Sequence, residues 1–291
     1  MKRLYILVLI LLFLLCCGCS NDTNYDIVAT TLPVYDFTTI LCEGTPLSVG
    51  RLVTESVSCL HDYYLQVDQM RMIEGADAVV ISGAGLEYFL EDVLHSQYLI
   101  DASKHISLHS GDHSHEHQNA THDHTHDADP HIWLSPENAK IMAANICSEM
   151  ELLYPQYQET FQQNLTFLTQ ALDGLQIYGN SQLSDLSSRE LITFHDGFGY
   201  FAASFDLTIL ESVEEESGSE ASAAEIIHLA ELVRSHSLPA IFVEKNGSDA
   251  CARILCNETE AKKYTLDMAM AGDSYFDAMY HNIDTVKEAL E

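Results

Sequence analysis

Positive charge is scarce in this chain: 13 lysines and arginines stand against 44 aspartates and glutamates among 291 residues, a formal net charge of −31. Nucleic acid, whose phosphates are gripped by Lys and Arg, is excluded as a partner, and cations are favoured as ligands. No G-x-x-x-x-G-K-[ST] loop is present, so any ATP-driven step belongs to a separate protein. No H-E-x-x-H is present either, which removes a common zinc-hydrolase arrangement. The lone Gly83-x-Gly85 lacks a third glycine and a downstream acid, and reads as a strand-to-helix turn rather than a nucleotide loop.

Long apolar runs are equally rare. Residues 4–17 form one, but it falls short of the roughly 20 residues a membrane-spanning helix needs. It follows Lys2 and Arg3, the layout of an export signal, so residues 1–18 are expected to be a signal peptide. The run leads into Leu15-Cys16-Cys17-Gly18-Cys19-Ser20, which resembles a bacterial lipoprotein box and implies acylation of Cys19, hence an extracytoplasmic, lipid-anchored protein on the bacterial membrane. Beyond it remain Cys42, Cys59, Cys147, Cys251 and Cys256. Five is odd, so no complete disulfide framework exists. Cys251 and Cys256 share one predicted helix at a spacing that does not bridge. Buried thiols are expected, with Cys42 and Cys59 the one pair left open.

What the chain does have is histidine. Nine of its fifteen histidines fall between His105 and His131, in a polar stretch that offers a core almost nothing. Two H-x-H-x-H triplets, His113, His115 and His117, then His122, His124 and His126, set six imidazoles on one tether, an auxiliary metal-binding segment.

On either side, short β-branched runs alternate with amphipathic helices, the pattern of α/β lobes with parallel sheets flanked by helices. Strands are expected at 27–30, 47–53, 77–82 and 98–101, with helices at 34–41, 64–73 and 86–94. Ser135 as N-cap and Pro136 at the first helical position open a helix to about residue 153. Tyr157, Phe161, Leu165, Leu168, Leu172 and Leu175 then form one apolar stripe on a helix of about 25 residues. Strands follow at 191–194, 207–210, 240–243 and 264–266, with helices from Phe198 and at 223–235, 248–258 and 275–290. The organisation is thus an N-terminal lobe over 19–154 that includes a His-rich loop at 105–129, a linking helix over 155–187, and a C-terminal lobe over 188–291.

Ligands of open α/β sheets bind beyond the carboxyl ends of the strands. His61 follows the second strand, His195 the strand at 191–194 and Asp267 the strand at 264–266, while His131 precedes the helix capped by Ser135. Three neutral imidazoles and one carboxylate would complete a tetrahedral zinc shell in the cleft between the lobes.

These residues sit in longer matches. Asp129-Pro130-His131-Ile132-Trp133-Leu134-Ser135-Pro136 is similar to the DPHxWLSP segment of the zinc and manganese substrate-binding lipoproteins of ABC importers. Gly83-Ala84-Gly85-Leu86-Glu87 resembles that family's GxGLE turn, Phe194-His195-Asp196 with Phe198 and Tyr200 its FHDAFxYF segment, and Ile241-Phe242-Val243-Glu244 its IFxE strand. The resemblance implies metal ligands at His61, His131, His195 and Asp267, with Glu244 the reserve carboxylate. Two departures stand out: Leu60 where the family usually has Pro before the first ligand, and Met268 where it has Pro after the last. The His-rich insertion and His195, where manganese members have Glu, point to Zn²⁺ as the transported ligand.

The function expected is capture of zinc and delivery to an ABC permease served by a separate cytoplasmic ATPase, by a monomer without catalytic activity. Rival readings are a manganese-binding member, a surface adhesin or metal buffer, and a zinc hydrolase. The hydrolase lacks its motif, and a requirement for a permease separates transport from buffering.

Overall fold

The computed structural model describes residues 24–55, 60, 63–90, 93–94, 97–109, 128–213 and 222–291. The expected signal segment, Cys19, Cys59, His61 and both H-x-H-x-H triplets lie outside the described residues. Strands β1 (Ile27–Ala29), β2 (Val49–Arg51), β3 (Ala78–Ile81) and β4 (Tyr98–Asp101) form a sheet in the order β2-β1-β3-β4, every pair parallel. Strands β5 (Glu190–Phe194), β6 (Thr208–Ser212), β7 (Ala240–Glu244) and β8 (Lys262–Leu266) repeat that order as β6-β5-β7-β8, again parallel. Each sheet therefore has one switch point, between β1 and β3 in the first lobe and between β5 and β7 in the second.

Helices α1 (Leu32–Cys42), α2 (Val67–Gly75), α5 (Gly199–Ser204), α6 (Ala223–His236) and α7 (Ala250–Glu258) connect the strands, because parallel neighbours need crossovers. Between the lobes run α3 (Pro136–Leu153) and α4 (Gln158–Gln182), and α8 (Tyr275–Leu290) closes the chain. Local chemistry sets their ends. Ser135 Oγ accepts from Asn138 N, and Ser222 and Glu225 cap α6 reciprocally. On α4 the stripe Phe161, Leu168, Leu172 and Leu175 is buried, each side chain contributing about 1.5–3 kcal/mol by leaving water.

Strand periodicity divides the core. Ile27, Ala29, Ala78, Val80, Leu191, Ala240 and Phe242 face one continuous cluster that also takes in Phe37, Ile146, Phe161, Leu168 and Met279 from α1, α3, α4 and α8. The opposite sheet faces carry separate clusters, Val28 and Val79 with Ile73 in the first lobe, Ile192 and Ile241 with Leu255 in the second.

The helix expected at 86–94 is a correction. Among its described residues the only helical turn is the three-residue 3-10 segment Tyr88–Leu90. The apolar residues read as one face serve two cores: Leu86 packs into the shared cluster, whereas Leu90, Val93 and Leu94 pack on the outer face of the first sheet. Glu87 meanwhile turns back to accept from Thr30 Oγ1 and the backbone N–H groups of Ser82 and Gly83. The helix beginning near Phe198 is also short, six residues of α5. Cys42, Cys147 and Cys251 are buried and outside any disulfide among the described residues, and burial pushes the Cys42 and Cys147 thiols up to about 12. Among the described residues no helix is long and apolar enough to cross a membrane.

Candidate metal centre

Parallel register aligns three strand ends in the second lobe. Phe194 pairs with Val243 and Glu244 with Leu266, so His195, Glu244 and Asp267 stand at the carboxyl ends of β5, β7 and β8. His131 reaches the same place from the turn before α3. That turn is anchored to the second lobe: Trp133 Nε1 donates to Met268 O at 2.7 Å, and Tyr275 Oη donates to Trp133 O at 2.8 Å.

The Nε2 atoms of His131 and His195 are 3.5 Å apart, with the rings nearly perpendicular at 83°. Two nitrogens each bound at about 2.0–2.1 Å to one tetrahedral zinc would lie roughly 3.4 Å apart, so the pair is spaced to share an ion. Asp129 Oδ1 sits 2.8 Å from His131 Nδ1 and also accepts from His131 N at 2.9 Å. With Nδ1–H directed at that carboxylate, the Nε2 lone pair faces His195, the usual support for a ligating imidazole.

On the far side of His195, Nδ1 is 3.5 Å from Glu244 Oε2. Glu244 is only 3% exposed and its Oε1 has no hydrogen-bond partner among the described residues. Burial, and after it the negative charge of Asp267, push the Glu244 carboxyl up to about 8. A buried carboxyl group with one unpartnered oxygen beside the His195 imidazole suits a cation nearby.

Asp267 is turned differently. Its Oδ2 accepts from Lys245 Nζ at 2.9 Å and its Oδ1 from Ala269 N at 2.9 Å. Its backbone is bracketed by Asn282, which accepts from Asp267 N and donates to Asp267 O, both at 2.7 Å. Gly197 lies against the histidines. A Cβ there would fall 2.6 Å from Met268 Cε, 2.8 Å from His195 Cδ2 and 3.0 Å from His131 Cε1.

Of the four ligands expected, the structure thus brings His131 and His195 together and sets Asp267 in the same row, while His61 lies outside the described residues. Among the described residues no three His, Cys, Asp or Glu side chains converge as a complete metal cage. Asp129 and Gly197 are site residues that the sequence alone does not single out; for Asp129 the available signal is its place two positions before His131, an expected ligand.

The residues flanking the His-rich tract meet beside His131. Asp129 N donates to His109 O at 3.0 Å, and the His109 ring stacks on Tyr200 at 4.1 Å. Tyr200 Oη takes a hydrogen bond from His109 N and gives one to Asp129 O.

The family model described as zinc-uptake complex component A, periplasmic, matches residues 27–289. The chain belongs to this ZnuA family. The family is one of metal-binding transport components, and its described location is extracytoplasmic. A protein of Treponema pallidum named for metal binding is 28% identical over 290 residues, covering 94% of this chain and 92% of its own length. The zinc-binding lipoprotein AdcA of Streptococcus pneumoniae is 28% identical over 317 residues; the match covers 100% of this chain and 62% of AdcA. The chain therefore spans less than two thirds of the AdcA relatives. Zn(II)-bound AdcA from the same species has a TM-score of 0.76 at 26% identity, over 92% of this chain and 58% of that one. The laminin-binding protein Lmb of Streptococcus agalactiae, described as having adhesin and metal transporting activity, has a TM-score of 0.79 over 92% of this chain and 100% of that one. At 21% identity that is a likeness of fold.

Proposed function

We propose that this ZnuA-family protein is anchored outside the cytoplasm through a lipid on Cys19, captures Zn²⁺ with His61, His131, His195 and Asp267, and delivers it to an ABC permease driven by a separate ATPase. The observation that carries the reading is the 3.5 Å separation of the His131 and His195 Nε2 atoms, with Asp129 behind one ring and Glu244 behind the other. Imidazole-rich sites suit zinc over the harder manganese ion. The relatives named for zinc binding support the same choice.

Zinc affinity measured by chelator competition, for wild type and for His131→Ala and His195→Ala, tests the reading. Each substitution should weaken binding by at least about a hundredfold with an unchanged circular dichroism spectrum, since loss of one of four ligands removes several kcal/mol. Wild-type affinity in both variants would overturn it. A preference for Mn²⁺ over Zn²⁺ in the same assay would move the protein to the manganese side of the family.

A further inference from the structure

Lys245 follows Glu244 at the end of β7, and its backbone N–H still donates to Leu266 O, the last residue of β8, which places its side chain beside Asp267 just past that strand. The ammonium lies 2.9 Å from Asp267 Oδ2. With Oδ1 already accepting from Ala269 N, both oxygens of this carboxylate are engaged, one of them by a cation that belongs to the chain itself.

The two partners differ in freedom. Asp267 is 8% exposed and its backbone is held on both sides by Asn282. The Lys245 side chain is 57% exposed on a long flexible stem, so its ammonium can return to water without disturbing the fold.

We propose that Lys245 is a displaceable counter-cation: it balances Asp267 in the metal-free protein, gives way when a divalent cation binds, and so holds the affinity for that cation below what the ligands alone would provide. The inference rests on the proposed reading of Asp267 as a ligand. Its use to a carrier is release, because an ammonium that was displaced on loading recombines with Asp267 as the metal departs. Linkage fixes the signs: a group that stabilises only the metal-free form must weaken binding by the same factor.

Lys245→Met, Lys245→Arg and Asp267→Asn, with Zn²⁺ as the probe, test this by chelator competition and by melting of metal-free and zinc-loaded protein. For Lys245→Met the metal-free form should melt lower, the zinc-loaded form should be unchanged, and affinity should rise about three- to fivefold, the size of an exposed ion pair. The gain should shrink in about 1 M salt, where exposed charges are screened, and Lys245→Arg should stay near wild type. Equal destabilisation of both forms with unchanged affinity would make the pair merely structural. A fall in affinity would make Lys245 a positioning residue for Asp267. Either result overturns the proposal. Wild-type zinc affinity in Asp267→Asn would instead remove Asp267 from the ligand set, a separate failure.

Discussion

Trp133 and Met268, 135 residues apart, are joined by a 2.7 Å hydrogen bond from the indole nitrogen to the Met268 carbonyl. The bond links the turn that carries His131 to the turn that follows Asp267, so the only tryptophan of the chain aligns two of the proposed ligands from distant segments. Trp133→Phe keeps an aromatic ring but leaves a buried carbonyl without its donor. Stability should fall by about 1–3 kcal/mol in urea titration, and zinc affinity should fall with it. Full stability in the variant would show that the carbonyl finds another donor.

Gly197 should not tolerate a methyl group. Its Cβ would press on Met268 Cε and on both imidazoles at 2.6–3.0 Å. Gly197→Ala is expected to introduce about 1–3 kcal/mol of overpacking and to weaken zinc binding roughly tenfold. Met268→Ala added to it should recover much of the loss, because the flexible methionine end is the tightest contact. A double variant no better than the single one would locate the strain in the imidazoles instead.

Glu87 gives stability a pH dependence. Burial outweighs its hydrogen bonds from Thr30, Ser82 and Gly83 and pushes the carboxyl from the ordinary 4.5 up to about 7. Between those values the folded chain holds a proton that the unfolded chain has lost, so this stabilisation is complete below about 4.5 and disappears as pH rises through 7. Denaturant titrations from pH 4 to 8 should show a decline of about 3 kcal/mol in wild type relative to Glu87→Gln. Parallel curves would mean that the hydrogen bonds compensate the burial.

Deletion of residues 111–127 should leave one tight zinc site and remove weaker additional ones, as read by calorimetric stoichiometry. Ordering a tethered polar segment costs conformational entropy that strand-end ligands do not pay. The His109–Asp129 hydrogen bond and the His109–Tyr200 stack lie outside the deleted span and keep its ends together. Identical stoichiometry would reduce the segment to a spacer, and loss of the tight site would move the principal ligands into it.

Both sheets and the interlobe helices were legible because their signals are local. Ser135 before Pro136 marked the start of α3, and the stripe through Phe161 and Leu172 marked α4. The DPHxWLSP and FHDAFxYF segments located His131 and His195, and the family they resemble is the one the chain matches. Other features depend on tertiary placement. Residues 86–94 carry a helical pattern, yet Leu86 and Leu90 are drawn to different cores. The approach of Glu244 to His195 depends on the parallel register of β5 with β7, which no single segment encodes. Lys245 is one lysine among few, and only the pairing of β7 with β8 sets it against Asp267.

The cluster that runs unbroken from Ile27 in β1 through Phe161 and Leu168 of α4 to Phe242 in β7 has a calorimetric consequence. Neither lobe can shed its inner sheet face without exposing the other's, so the described body should melt in a single endotherm whose van't Hoff and calorimetric enthalpies agree. The same continuity argues against capture by a clamshell swing, since such a motion would tear apolar contacts along the length of α4. Ion entry is left to side chains and strand-end turns, which rearrange far faster than whole lobes.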